Sequence, residues 1–245
     1  MEINFHPNLY DGVGASLGFV KLLQALHWVK SFFLYADYIP FPGVNFSKMQ
    51  LYAHELSGNC YKVVLLLSLL GLEHEIIRVD LIVGEQKSTE FLKLNPFGQV
   101  PVFIDGELVL RDSQAILVYL ARQYGGESWL PSEPEAMGKV LQWLSTAANE
   151  IQNSLSAARR FFLLGTPIDL EGAQQKARYT LEVIDKHLLN RDWLETNHPT
   201  IADVACYPYI ELASDAQIAL EAYPQVSAWV TRIKQLPLYV AMPGF

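Results

Sequence analysis

The sequence predicts a two-part protein, a small mixed α/β domain over residues 49–124 followed by an all-helical domain over residues 136–245. Three observations carry that division. Short strand-type and helix-type runs alternate between Gln50 and Tyr124 in the order βαβ, helix, ββα, which makes a small mixed sheet with helices on it. Residues 125–135, "GGESWLPSEPE", are rich in turn-forming residues and read as a linker. Beyond them no strand signal of comparable strength recurs, and apolar residues return at helical spacing.

Each element has its own signal. "QLYAH" is a short strand, and from Cys60 to Leu70 the chain is apolar on nearly every face and stops at Gly71, as a buried helix with a glycine terminator does. "HEIIRVD" is a second strand, "STEFLKLN" a short helix and "VPVFI" a third strand. Asp105-Gly106 makes the tight turn into a fourth strand, "ELVL", and the third helix runs from about Asp112 to Tyr124. After the linker, Val140, Leu141, Leu144, Ala148, Ile151 and Leu155 keep helical spacing, so Met137–Leu164 is predicted as one long helix, with Leu170–Leu189 the next. Thr200-Ile201-Ala202-Asp203 has the form of a capping box with Asp in place of Glu, and it opens a helix through Cys206, Tyr207 and Ile210. Its hydroxyl and carboxylate are read as satisfying the first helical amides rather than as chemistry. A final helix spans about Tyr223 to Leu236.

Composition narrows the function. With 18 Lys plus Arg against 26 Asp plus Glu the formal charge is −8, so a polyanionic partner such as nucleic acid is disfavoured. A 51% hydrophobic and 18% charged balance is too apolar for a disordered chain, and the length leaves ample room for a core. Cys60 and Cys206 are the two cysteines, too few for a disulfide framework, which suggests a reducing, cytosolic setting. The six histidines show no metal-ligand spacing, so no metal site is expected.

The first 48 residues differ in texture. Leu17–Phe41 is apolar, but Lys21, Gln24, His27, Lys30 and Asp37 interrupt it, so it is not expected to span a membrane. The segment opens with Glu2 and Asp11 and lacks a convincing small-residue cleavage site, which argues against export. Gly12, Gly14 and Gly18 miss the G-x-G-x-x-G spacing with no strand before them, and they read as loop. Two readings of residues 1–48 stand side by side: translation beginning at Met49, or a loosely ordered amphipathic arm.

Four motifs then fall in a familiar order. "SGNCYKV", "KLNPFGQVP" and "RDSQAI" in the sheet domain, followed by "HPTIADVA" in the helical one, give a chain that resembles the cytosolic glutathione S-transferases. The likeness runs from Met49 to Phe245 and is nearest to the bacterial serine/asparagine type, with its Nu-like and theta-like branches. It implies a thioredoxin-like domain joined to a helical-bundle domain, usually a homodimer, with glutathione as co-substrate. The second partner implied is a hydrophobic electrophile, a peroxide or a disulfide.

Glutathione carries two carboxylates, an amine and a thiol, so its site has to offer anion donors, one anion and a means of stabilising thiolate. The resemblance places Asp112 and Ser113, at a predicted helix start, on the γ-glutamyl amine and carboxylate; the plain alternative is an N-cap. It places Gln99, Val100 and Pro101 at the cysteinyl unit, with a cis bond before Pro101 that turns the Val100 backbone toward the peptide; the plain alternative is a proline that opens a strand. Gln86 and Lys87 fall where the family supports the glycyl end, although lone polar residues in such a loop are usually just solvated.

A thiol of ordinary pKa, about 8.5, becomes thiolate near neutral pH when donors at a helix start favour the anion. Ser57 is expected to donate to that thiolate with help from Asn59; the alternative is that both merely cap the helix. In the frame of a C-x-x-C motif, Ser57-Gly58-Asn59-Cys60 puts serine at the nucleophilic position and Cys60 at the more buried one, so Cys60 is expected to be packed. Neither Tyr52 nor Tyr61 stands where the tyrosine-type classes place theirs. Arg159, Arg160, Phe161, Phe162 and Tyr207 are candidates for a mixed wall facing the second substrate, most such aromatics being core. A glutathione-dependent reductase or peroxidase, and a non-catalytic glutathione-binding module, are the rival readings.

Overall fold

The computed structural model describes residues 49–242, and both expectations about residues 1–48 lie outside the described residues. The first described strand, β1 (Met49–Ala53), is central: it pairs parallel with β2 (His74–Arg78) and antiparallel with β3 (Val102–Asp105), and β3 pairs antiparallel with β4 (Leu108–Arg111). The strand order is β2-β1-β3-β4. Leu51 stands opposite Ile76 on one side and Phe103 on the other, and Leu51 and Phe103 are wholly buried. β3 starts at Val102, two residues later than the apolar run suggests. Pro101 has no N–H to give a ladder, and the Val100–Pro101 bond is cis.

Helix α1 (Gly58–Leu69) is apolar on all faces because it is covered on all faces, packing on α3 (Ser113–Leu120) and on α7 (Ile201–Glu211) of the helical half. It ends at Gly71, whose φ of 66° lets Leu72 N–H reach back to the Leu67 carbonyl at 2.9 Å. The short α2 (Thr89–Leu94) buries Phe91 in a small cluster with Val79 and Val102. The third helix is regular to Leu120 and continues to Gly125 as a wider π-type turn.

One expectation is corrected. The predicted long helix is two: α4 (Pro134–Thr146) runs into a π-type turn (Ala147–Ile151), the backbone breaks at Ser154 (φ −128°, ψ −86°), and α5 (Leu155–Leu164) follows. Ser154 is fully buried and its hydroxyl donates to the Glu150 carbonyl at 2.5 Å. Periodicity could not show this break, since Ala147, Ile151, Leu155 and Ala158 stay buried on one side across it. The helix also begins earlier, at Pro134, with the Glu133 carboxylate accepting from the Glu135 and Ala136 amides.

Helices α6 (Leu170–His187) and α8 (Pro224–Lys234) complete the helical half. The Thr200/Asp203 capping box at the start of α7 is present. Asp203 Oδ2 accepts the Thr200 amide at 2.9 Å, while Oδ1 accepts the Leu194 amide at 3.0 Å and Trp229 Nε1 at 2.9 Å. Burial pushes the Asp203 carboxyl up, and these three bonds, with a fourth from the Thr200 hydroxyl at 3.3 Å, work against the rise. No helix among the described residues is long and apolar enough to cross a membrane.

Candidate active site

The sheet presents its working edge where β1 ends. After Ala53 the chain turns through His54, with Ser57 N–H bonded to the His54 carbonyl at 3.0 Å, and α1 begins with Ser57 as its N-cap. The positive end of α1 therefore opens into a cavity of about 670 Å³, within the range typical of small-molecule sites. The Gln86 loop, the segment Gly98–Val100 and the start of α3 form the sheet-domain wall; Gln152, α5 and Tyr209 of α7 form the other.

Of the residues singled out from the sequence, Ser57, Asn59, Gln86, Gln99, Val100, Asp112 and Ser113 line this one cavity. Lys87 and Pro101 do not. The Lys87 ammonium is turned to the Phe97 carbonyl at 3.0 Å, and Pro101 is buried beside Val100. On the second wall Arg159 and Arg160 line the cavity, whereas Phe161, Phe162 and Tyr207 do not. Tyr207 is wholly buried, 2.9 Å from the Tyr239 hydroxyl, and Leu163 and Leu164 take the aromatic residues' place.

The capping roles and the site overlap in detail. Ser57 Oγ accepts the Cys60 amide at 3.3 Å, which uses an acceptor lone pair and leaves the hydroxyl proton to donate. Asp112 caps α3, Oδ1 accepting from Gln114 and Ala115 amides at 3.0 and 3.1 Å, with its backbone at φ 75°. That left-handed turn sets Asp112 and the nearly buried Ser113 side by side at the helix start. Asn59 spans the two domains: its Nδ2 donates to Gln152 Oε1 at 3.2 Å and its Oδ1 accepts from Lys62 at 2.9 Å. Cys60 is 2% exposed and burial pushes its thiol up to about 11, the chemistry of a packed residue.

Further residues shape the site: Asn95 lies in the "KLNPFGQVP" motif and Arg159 is one of the wall candidates, while Tyr209 has no sequence signal that stands out. Asn95 knits the loop before β3, accepting the Phe97 amide at 3.0 Å and donating to the Gln99 carbonyl at 2.7 Å. Tyr209 arrives at the start of α1 from α7, so close that a Cβ on Gly58 would sit 2.6 Å from its ring. Burial raises its phenol, against which the Ser156 hydroxyl and the backbone N–H of Asn59 act. Arg159 crosses the domain boundary, bonding Asp215 at 2.8 Å and the Leu56 carbonyl at 2.8 Å.

The cavity is built for a polar guest. His54 Nδ1 accepts the Leu56 amide at 3.1 Å, which leaves the ring proton on Nε2. That Nε2, Gln86 Oε1 and Gln114 Oε1 are buried without a hydrogen-bond partner, and all three residues line this cavity. Unsatisfied buried polar atoms are costly, so a wall carrying three of them fits a ligand with matching donors and acceptors.

A four-stranded mixed sheet with a cis bond before Pro101, whose Val100 lines the same cavity as the start of α1, backed by a bundle of helices, defines a thioredoxin-like domain joined to an all-helical one. The chain belongs to the glutathione S-transferase family: residues 47–122 match the family's N-terminal domain and residues 166–237 its C-terminal domain. It is 32% identical over 189 residues to the disulfide-bond oxidoreductase YfcG of Escherichia coli, covering 73% of this chain and 87% of that one. Its fold matches a glutathione S-transferase structure from Pseudomonas fluorescens with a TM-score of 0.76 and 34% identity, over 81% of this chain and all of that one. A glutathione transferase of Phanerochaete chrysosporium, solved with oxidized glutathione, matches with a TM-score of 0.71 and 27% identity over 80% of this chain and 93% of that one.

Proposed function

We propose that the protein is a glutathione transferase, which binds glutathione in this cavity and stabilises its thiolate for attack on an electrophilic co-substrate. The observation that carries the reading is the convergence of Ser57, Asn59, Val100, Asp112 and Ser113 on a single cavity at a helix N-terminus. Ser113 and the amides at the start of α3 suit the γ-glutamyl carboxylate, Asp112 its amine, and Gln86 the glycyl end. Ser57 O–H and the second Nδ2 proton of Asn59 are donors for the thiolate, assisted by the α1 dipole. Leu163, Leu164, Leu81 and Ile82 give the co-substrate an apolar wall. The sulfur forms the new bond to carbon as the electrophile's leaving group departs with its electron pair. A homodimer in a reducing cytosol is part of the same proposal, supported by the family relationship and by two free, buried cysteines.

The name of the Escherichia coli relative favours a second reading, reduction of disulfides on the same fold. Here too the buried Cys60 is the wrong nucleophile, and glutathione's own thiolate would attack. Capture on immobilised glutathione, followed by turnover with an aryl halide, a hydroperoxide and a small mixed disulfide, tests both. Aryl halide turnover supports the transferase, mixed-disulfide turnover alone supports the second reading, and failure to bind glutathione defeats both.

A further inference from the structure

Directly behind the thiolate donors lies a charged side chain that this account of glutathione binding does not use. Lys62 is wholly buried, one turn from the positive end of α1, and its ammonium donates to Asn59 Oδ1 at 2.9 Å and lies 5.5 Å from the centre of the Tyr209 ring. The titratable groups that face it are Asp112 at the start of α3 and Cys206 and Tyr209 on α7. Of these only Asp112 is a carboxylate, and among the described residues no carboxylate lies within ion-pair distance of Lys62. Burial and a helix N-terminus both oppose a cation, and a methionine would fill the same apolar space without that conflict. A cation kept there acts on something, and the group it touches is the amide of Asn59.

We propose that Lys62 is a positioning residue of the thiolate site, its buried ammonium fixing and polarising the Asn59 side chain so that Asn59 N–H groups favour the glutathione thiolate. The proposal rests on the glutathione reading above. Asn59 is held from two sides: Lys62 takes its oxygen, and Gln152 takes one Nδ2 proton at 3.2 Å. That leaves the other Nδ2 proton for the cavity, in a fixed direction. A positive charge on the amide oxygen draws electron density from the nitrogen and strengthens the remaining donor, and the ammonium adds its own attraction for an anion in a site of low dielectric. Burial lowers the lysine to about 8, so it remains mostly charged at neutral pH, and a bound thiolate favours the charged form further.

The test uses the full-length protein with Lys62→Met, which removes charge and donor, and Lys62→Gln, which removes the charge but keeps a donor for Asn59. Thiolate absorbance of bound glutathione is titrated against pH, and the affinity for S-methylglutathione, which has no thiol proton, is measured alongside. Both variants are expected to raise the bound thiol pKa by about one unit or more, with turnover below neutral pH about tenfold lower and recovering as pH rises. S-methylglutathione affinity is expected to stay within about twofold, because its contacts lie elsewhere. Titration curves that coincide with wild type would overturn the proposal, as would a wild-type titration for Lys62→Gln or a parallel collapse of S-methylglutathione affinity. Should one variant not fold, the other carries the same comparison. A wild-type protein that forms no bound thiolate at any pH defeats the functional reading itself, and that result is read before any variant is compared.

Discussion

Ser57 Oγ accepts the Cys60 amide N–H at 3.3 Å, so the residue that caps α1 is also a residue that lines the cavity and keeps a hydroxyl proton to donate. The two roles are separable because one uses an oxygen lone pair and the other the proton. Ser57→Ala is therefore expected to cost about 1 kcal/mol of stability from the lost cap. It should also lower turnover by about 10²-fold from the lost donor, with S-methylglutathione affinity retained. Thermal melts and steady-state kinetics on the same preparation check it; loss of stability with unchanged turnover would reduce Ser57 to a cap.

Gly58 and Tyr209 meet where the two domains touch. A Cβ at position 58 would lie 2.6 and 2.7 Å from two ring carbons of a phenol that is 6% exposed, so the ring has little room to give way. Gly58→Ala is expected to destabilise the protein by about 1–3 kcal/mol and to open the cavity between domains. A denaturant melt measures the first effect, and a weakened glutathione affinity the second; a variant as stable as wild type would show that α1 and α7 are not in this contact.

Much of this architecture was legible in the sequence because its signals are local. The strand-type runs, the Gly71 stop and the Thr200/Asp203 box are each decided within a few residues, and the structure has the four strands in the predicted order, with β3 displaced by Pro101, and the stop and the box where the sequence puts them. The break at Ser154 was not legible, since the buried face continues through it unchanged. The site divides in the same way. Residues on motif loops, such as Ser57 and Ser113, announce themselves. Tyr209 and Gln152 reach the cavity only through packing of the helical half against α1, and nothing adjacent to them in sequence marks them, whereas Arg159 is one of the wall candidates and does line the cavity. Phe161 and Phe162 do not line the cavity for a related reason: the face of α5 that borders it carries Arg160, Leu163 and Leu164 instead, and the rotation of α5 is not readable from periodicity that runs on through the break.

Ser113 is 4% exposed at the start of α3 and lines the cavity next to Asp112. If its hydroxyl donates to the γ-glutamyl carboxylate, Ser113→Ala weakens glutathione binding by about 1–3 kcal/mol, the range for a charge-assisted bond. Because Asp112 provides the cap through Oδ1, stability should change little. Titration calorimetry with glutathione checks the affinity, and unchanged affinity with a lowered melting point would return Ser113 to a helix-start role.

Lys62 sets stability against function. Its pKa is lowered by burial to about 8 in the folded chain, below its value in the unfolded one. A lysine with a depressed folded pKa penalises folding wherever it must be charged, so the penalty is full below about pH 8 and fades as pH rises from there toward the unfolded value. Lys62→Met is expected to be more stable than wild type at neutral pH by about 1–3 kcal/mol, with the gap closing as pH rises through that window. Melting curves across pH measure it. A variant less stable than wild type at every pH would mean that the Asn59 contact outweighs the buried charge.

We propose that glutathione's thiolate is held by hydroxyl and amide donors at the start of α1 and not exchanged with Cys60. Thiolate absorbance of bound glutathione titrated against pH, in wild type, Ser57→Ala, Asn59→Ala and Cys60→Ala, tests it most directly. Ser57→Ala and Asn59→Ala should each move the titration to higher pH, while Cys60→Ala, which removes a thiol pushed up to about 11 and buried away from the cavity, should overlay the wild type. A titration that vanishes in Cys60→Ala and survives in the other two, with a glutathione adduct on Cys60 in the resting protein, would contradict the account.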